Sequence, residues 1–157
     1  MATWGRIQKE TGVFAQVAQG KFDAHDHKTI ATLRADGSPR ISGTEAEFRA
    51  GELWIGSMWQ ARKALDLLRD PRFALHSATV ESGDAWTGDA KLTGRMIEVH
   101  DDAAKRAMRG GEVPPGPFHL FRAEILKVVV VQLADTKDHL VIQLWDETNG
   151  LRTITRE

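Results

Sequence analysis

The sequence predicts a mainly β fold, a small antiparallel barrel of six to eight strands with two or three short helices, in a single domain over residues 1–157. Three observations lead there. Segments of alternating apolar and polar residues recur along the chain, turn residues punctuate them, and three short stretches carry apolar residues at helical spacing. A chain of 157 residues is the size of one ordinary domain, and 41% hydrophobic against 27% charged residues supplies a core without disulfide staples.

At the N-terminus, RIQKETGVFAQVAQG places Ile7, Phe14, Val17 and Ala18 near helical spacing, which predicts one helix running through Gly12 and stopping at Gly20. TIATLRADGSPRISGTEAEF reads as two strands, Lys28–Arg34 and Pro39–Phe48, joined by a turn at Asp36 and Gly37. Pro39 opens its strand, where a missing donor is tolerated. The short strand ELWIGS follows a turn at Ala50–Gly51 and completes a three-stranded meander. From Gln60 to Arg69, the residues Ala61, Ala64, Leu65 and Leu68 fall on one side of a helix that Asp70–Pro71 ends. RFALHSATV and AKLTGRMIEVH add two strands, the second with Gly94 as a bulge or bend. DDAAKRAM is a short helix with an acidic start, stopped by Gly110–Gly111 and the Pro-rich EVPPGP. FHLFRAEILKVVVVQL is a long β-rich segment, and HLVIQLWDE with LRTIT forms a terminal hairpin whose tip is ETNG.

Composition excludes whole classes of function. The 21 Lys+Arg nearly cancel the 22 Asp+Glu, so a net charge of -1 gives no polyanion footprint and no nucleic-acid partner is expected. Without cysteine there are no disulfides, thiolate metal sites, iron–sulfur clusters or cysteine nucleophiles. MATWGRIQKETG lacks the apolar core of a signal peptide, and the longest apolar run, Val128–Val131, is far too short to cross a bilayer, so a cytoplasmic protein with no membrane partner is expected. His25 and His27 form an HDH pair with no third ligand at a recognisable spacing, and no metal is expected. His76 and His119 fall in predicted strands, where hydrogen-bonded packing is the ordinary role of a lone histidine. Neither a G-x-S-x-G elbow nor a G-x-G-x-x-G turn is present, which leaves nucleophilic catalysis and a Rossmann cofactor site without support.

One stretch invites an anion. In GSMWQARKALDLLRDPRFAL a strand end meets a helix start, so free backbone N–H groups lie near the Ser57 hydroxyl and the cations Arg62 and Lys63. Cations at a helix N-terminus oppose the helix dipole. Two readings stay open on spacing alone: a solvated ion pair of Arg62 and Lys63 with Asp66, worth about 0.2–0.5 kcal/mol, or a site for a terminal phosphate. Of the five tryptophans, Trp54 reads as core, whereas Trp59 and Trp86 sit in predicted loops and read equally as core filling or as the wall of an aromatic ligand site.

The succession ATLRADGSPRISG, LWIGS, ARKALDLLRDPRFAL, GDAKLTGRMIEV resembles the pyridoxamine 5′-phosphate oxidase-like, FMN-binding split-barrel superfamily. The likeness runs from about Thr29 to Val99, with a weaker echo in FRAEILKVVVVQL. It implies an FMN-binding split barrel that forms a homodimer with its cofactor sites at the subunit interface. It further implies that Ser57, Arg62 and Lys63 hold the cofactor phosphate. By position, Thr32 and Arg34 on the first strand and Ile41 to Thr44 on the second, Ser42 and Gly43 included, flank the isoalloxazine and ribityl parts. Met58 adjoins the phosphate residues, and Trp59 and Trp86 bound the ring or substrate cavity.

The chain lacks the C-terminal substrate segment of true pyridoxamine phosphate oxidases, which argues against vitamin B6 oxidation. The short RK…DPR form resembles the flavin and deazaflavin reductases, making coenzyme F420 the rival to FMN. The implied function is a flavoprotein oxidoreductase that transfers hydride to or from a small unsaturated or aromatic substrate, without a named catalytic side chain. The alternative is a non-catalytic flavin- or haem-binding split barrel for storage or sensing.

Overall fold

In the computed structural model, which describes residues 1–81, 83, 86–108 and 115–157, one long strand organises the protein. The elements in chain order are α1 (Trp4–Thr11), α2 (Val13–Asp23), β1 (His27–Leu33), β2 (Pro39–Glu45), β3 (Glu47–Arg49), β4 (Glu52–Met58), α3 (Arg62–Arg69), β5 (Arg72–His76), β6 (Asp89–Glu98), α4 (Asp102–Arg106), β7 (Phe118–Leu133), β8 (Leu140–Asp146) and β9 (Gly150–Arg156). The central strand is β7, 16 residues long. On one side it pairs with β6 along nearly its whole length; on the other, its first half pairs with β4 and its second half with β8.

All ladders are antiparallel, and the sheet runs β2-β1-β5-β6-β7-β4-β3, with β8 and β9 branching from β7. The first and last strands of that path, β2 and β3, are consecutive in the chain and separated by Ala46 alone. The sheet therefore curls until its edges meet at one corner, which makes it a barrel. The sequence reads Pro39–Phe48 as one strand; the chain instead breaks at Ala46, where it leaves its ladder with β1 and begins one with β4. A strand that changes neighbour must bend, which is why nine strands are found and not six to eight.

The single N-terminal helix expected from the sequence is two. Gly12 adopts φ 53 and separates α1 from α2, while Gly20 lies inside α2, which runs on to Asp23. Four more residues of helix bring Phe22 into the core beside Phe14, Ala15 and Ala18. The helices pack on the barrel through Trp4, whose ring lies 4.6 Å from that of Phe48, and Phe22, 5.7 Å from the same ring. Inside, Ile30, Leu75, Leu92, Ile125 and Val128 are fully buried, each contributing about 1.5–3 kcal/mol relative to exposure. Trp145 on β8 is also fully buried, and its indole N–H donates to Glu10 on α1 at 3.1 Å.

Gly94 is the bulge the sequence predicts. The β6–β7 register shifts between Thr93 and Gly94, and a Cβ there would lie 2.0 Å from the Glu124 carbonyl oxygen. The short helix expected at DDAAKRAM spans Asp102–Arg106, capped by Asp101 accepting from the Ala104 N–H. Its expected stop at Gly110–Gly111 and most of EVPPGP lie outside the described residues.

Candidate functional site

The barrel is split between β2 and β4. Beyond Trp54, β4 shares a ladder with β7 alone, and β2 shares one with β1 alone, so among the described residues no strand ladder joins Gly43–Glu45 to Gly56–Met58 across the split. A cleft of about 480 Å³ opens between them, bounded by Gly43, Thr44 and Glu45 on β2 and by Gly56, Ser57 and Met58 on β4. Trp59, Lys63, Met108, Pro117 and Phe118 complete its lining. A neighbouring hollow of about 350 Å³ continues it past Glu45, Gly56 and Met108 to Asp26, Lys28 and Glu47.

Two polar groups in the cleft are poorly provided for. Ser57 is 7% exposed, and its Oγ has no hydrogen-bond partner among the described residues. A buried hydroxyl without a partner costs about 1–3 kcal/mol, so Ser57 is a group that a ligand would satisfy. The Lys63 ammonium donates to the Gly43 carbonyl at 2.8 Å. Burial lowers its pKa from the ordinary lysine value, against the opposing pull of Glu45. Among the described residues no side chain caps the N-terminus of α3, because Ala61 stands at the N-cap, which leaves first-turn N–H groups beside Lys63 without an intrahelical partner.

Met58 is 80% and Trp59 53% exposed at the mouth. Trp59 is nonetheless held in place: its ring stacks on His119 at 4.6 Å and 11°. His119 lies on β7 directly opposite Ser57 and is 2% exposed.

The structure thus brings Gly43, Ser57, Met58, Trp59 and Lys63 together. Arg62, one residue from Lys63, turns to the other side of α3 and lines a second depression of about 370 Å³ with Arg34, Arg40 and Arg69. At its floor the buried Asp66 carboxylate accepts from Thr32 Oγ1 at 2.8 Å, Arg40 Nε at 2.7 Å and Arg69 Nη2 at 3.1 Å. The ion pair that spacing suggests for Asp66 therefore forms with Arg40 and Arg69, not with Arg62 or Lys63. Ser42 pairs with Ile30 and shares the inward face of the hairpin with Thr32, Arg40 and Thr44; it adjoins Gly43 without itself lining the cleft. Trp86 lies elsewhere, lining a shallow depression with Gln132, Leu133 and Lys137 at the β7–β8 turn.

Several cleft residues escape a reading of sequence. Glu45, Met108, Pro117 and Phe118 lie outside the residues that the sequence singles out, and only the curl of the sheet joins them to Gly43, Thr44 and Ser57. His119 and its carboxylate partner Glu98 belong to the same group; a polar residue inside the apolar run FHLFRAEI was the available signal.

No family model matches the chain, and no curated protein matches it significantly. Solved structures do. A pyridoxamine 5′-phosphate oxidase-related, FMN binding protein from Nostoc punctiforme superposes with a TM-score of 0.65 at 13% identity, covering 100% of this chain and 98% of that one. PhzG from Burkholderia lata, solved in complex with tetrahydrophenazine-1-carboxylic acid, gives 0.64 at 12% identity over 92% and 90% of the two chains. General Stress Protein 26 from Bacillus anthracis gives 0.61 at 12% identity over 73% and 91%. These likenesses show the fold: the chain is an antiparallel split barrel with a few short helices, shared with solved structures that include the pyridoxamine 5′-phosphate oxidase-related, FMN binding protein.

Proposed function

We propose that the cleft binds FMN, or the deazaflavin F420 in its place, and that a second copy of the chain completes the site. On this reading the protein is an oxidoreductase that moves hydride between the bound ring and a small unsaturated or aromatic substrate. The observation that carries the reading is that Ser57 and Lys63 line one cleft: a buried hydroxyl lacking a partner among the described residues and an ammonium partly removed from water, carried on a helix start that no side chain caps. That donor set suits a phosphate monoester. The cleft's volume falls in the range of about 300–1,000 Å³ typical of small-molecule sites. The likeness in fold to a protein described as FMN binding supports the same choice.

Bound flavin supplies the hydride chemistry, and the protein supplies binding, orientation and exclusion of water. Lys63 holds the phosphate end by charge, and the Ser57 hydroxyl donates to a phosphate oxygen. Trp59 and Met58 present flat and flexible apolar surface at the mouth, where they shield a planar ring from solvent. The strand edges along the split, where β2 and β4 share no ladder, offer backbone donors and acceptors to the polar edge of that ring.

A homodimer is supported by what one chain leaves in water. Register puts Val129, Leu144 and Arg152 in one row, Val131, Ile142 and Ile154 in the next, and Leu133, Leu140 and Arg156 in a third, all on one face of β7–β8–β9. Leu133 and Ile154 in that face are each 39% exposed. A contiguous apolar face of this kind marks an interaction surface.

The test is a titration of the purified protein with FMN and, separately, F420, followed by absorbance, then reduction of the loaded protein and addition of acceptors. Binding with turnover supports the oxidoreductase. Binding without any exchange of reducing equivalents points instead to the storage or sensing alternative, and failure to bind either cofactor overturns the reading.

A further inference from the structure

The mouth of the cleft is built on a histidine that has one proton to place and two partners to satisfy. Nδ1 of His119 lies 2.7 Å from Glu98 Oε1, and Nε2 lies 3.3 Å from the backbone nitrogen of Gln60. A backbone N–H only donates, so Nε2 must accept; the ring proton therefore sits on Nδ1 and is donated to Glu98. The same ring carries Trp59 stacked on one face and lies 6.0 Å from Phe121. Gln60 adopts φ 59, a left-handed conformation that a residue with a side chain takes up only when its surroundings hold it there.

We propose that His119 is a positioning residue, and that its neutral Nδ1–H form fixes Trp59 and Gln60 at the mouth of the cleft while protonation at Nε2 releases them. An imidazolium donates from both nitrogens, so Nε2–H meets the Gln60 N–H donor to donor and the only bond between His119 and the turn is replaced by a repulsion. The strained Gln60 then relaxes, and the turn that carries Trp59 moves with it. Charged neighbours set the range of the switch. From β6 comes Glu98; His100, after β6, approaches the second oxygen of the same carboxylate at 3.4 Å. From α4, Lys105 lies over the Phe118 ring at 5.0 Å and donates to the Phe118 carbonyl. From β4 and the turn come only Ser57, Trp59 and Gln60, all uncharged.

The consequence for ligand affinity rests on the reading of the cleft as a flavin site; the switch itself does not, which lets the two fail separately. In cofactor-free protein labelled with ¹⁵N-histidine, His119 is expected as the Nδ1–H tautomer at pH 8, and a pH series down to pH 5 reads the interval over which Nε2 gains its proton. The fluorescence difference between wild type and Trp59→Phe is expected to change over the same interval. In His119→Gln, whose amide oxygen can still accept from Gln60 but does not titrate, that change is expected to vanish. FMN affinity should weaken roughly threefold or more from pH 8 to pH 5 in wild type, as the competent mouth conformation becomes the minor one. His119→Gln should show only the smaller change due to the flavin phosphate's own ionisation. An Nε2–H tautomer at pH 8, a Trp59 signal indifferent to pH, or a transition unchanged in His119→Gln would each overturn the proposal. If FMN binds at neither pH, the flavin reading falls while the nitrogen shifts and the indole signal still decide for or against the switch.

Discussion

Asp66 on α3 and Arg40 on β2 form a 2.7 Å ion pair that ties the helix to the first hairpin. Thr32 and Arg69 share the same carboxylate, and Arg69 also donates to the Leu33 carbonyl at 2.6 Å, so helix and hairpin are stapled at several points. Lys63 owes its place at the cleft to that staple, since it projects from the same helix. Asp66→Asn should cost about 1–3 kcal/mol, less than for a wholly buried pair because both guanidiniums reach solvent. Urea denaturation measures it, and FMN affinity should fall with it as α3 loosens.

The same carboxylate gives stability a dependence on acid. Burial pushes the Asp66 pKa up, but the hydrogen bonds from Arg40, Thr32 and Arg69 together outweigh it and hold it below the ordinary carboxylate value. The Arg72 guanidinium and N–H hold exposed Asp70 at about 2. Both folded-state values lie below the unfolded one, about 3.9. The stability they contribute is therefore complete above that value and is lost as pH falls from about 4 toward 2. The urea midpoint should drop across that window in wild type and drop less in Asp66→Asn.

Two glycines should respond to alanine in opposite directions. At Gly94 a methyl group would meet the Glu124 backbone oxygen within the central ladder, and Gly94→Ala should destabilise by about 2 kcal/mol or more. Gly20 lies inside α2 with nothing within 4 Å of the new Cβ, and Gly20→Ala should stabilise by about 0.5–1 kcal/mol. Thermal melts of the two variants beside wild type read both signs.

The proposed homodimer makes a further demand. Ile154→Glu puts a charge on the apolar face of β7–β8–β9 at an edge strand that contributes little to the core. It should leave the fold intact, convert a dimer to a monomer by sedimentation, and weaken FMN binding if the second copy completes the site.

Strand positions were legible in the sequence because period-2 patterning and turn residues are local. The long strand at Phe118–Leu133 and the Gly94 bulge needed nothing from the rest of the molecule. The break at Ala46 was not legible, since it records a change of partner between strands that no window of sequence contains. Nor was the separation of Arg62 from Lys63. Adjacent residues on a helix point about 100° apart, and which one meets the cleft depends on how Asp66 seats α3 on the hairpin. Ser57 could be singled out from its place at a strand end before a helix, but its orphaned hydroxyl, like the role of His119, emerged only once β4 and β7 were set side by side.

The most direct test of the account compares FMN binding by wild type, Lys63→Ala and Arg62→Ala under one set of conditions, with melting temperature as the control for folding. Wild type should bind FMN, and Lys63→Ala should bind it at least about tenfold more weakly, the loss of roughly 1.4 kcal/mol expected for one charge-assisted contact. Arg62→Ala should lose less, because its side chain faces the other depression. Equal affinity of wild type and Lys63→Ala, with both proteins folded, would contradict the claim that this cleft is the phosphate-anchored site of a flavin.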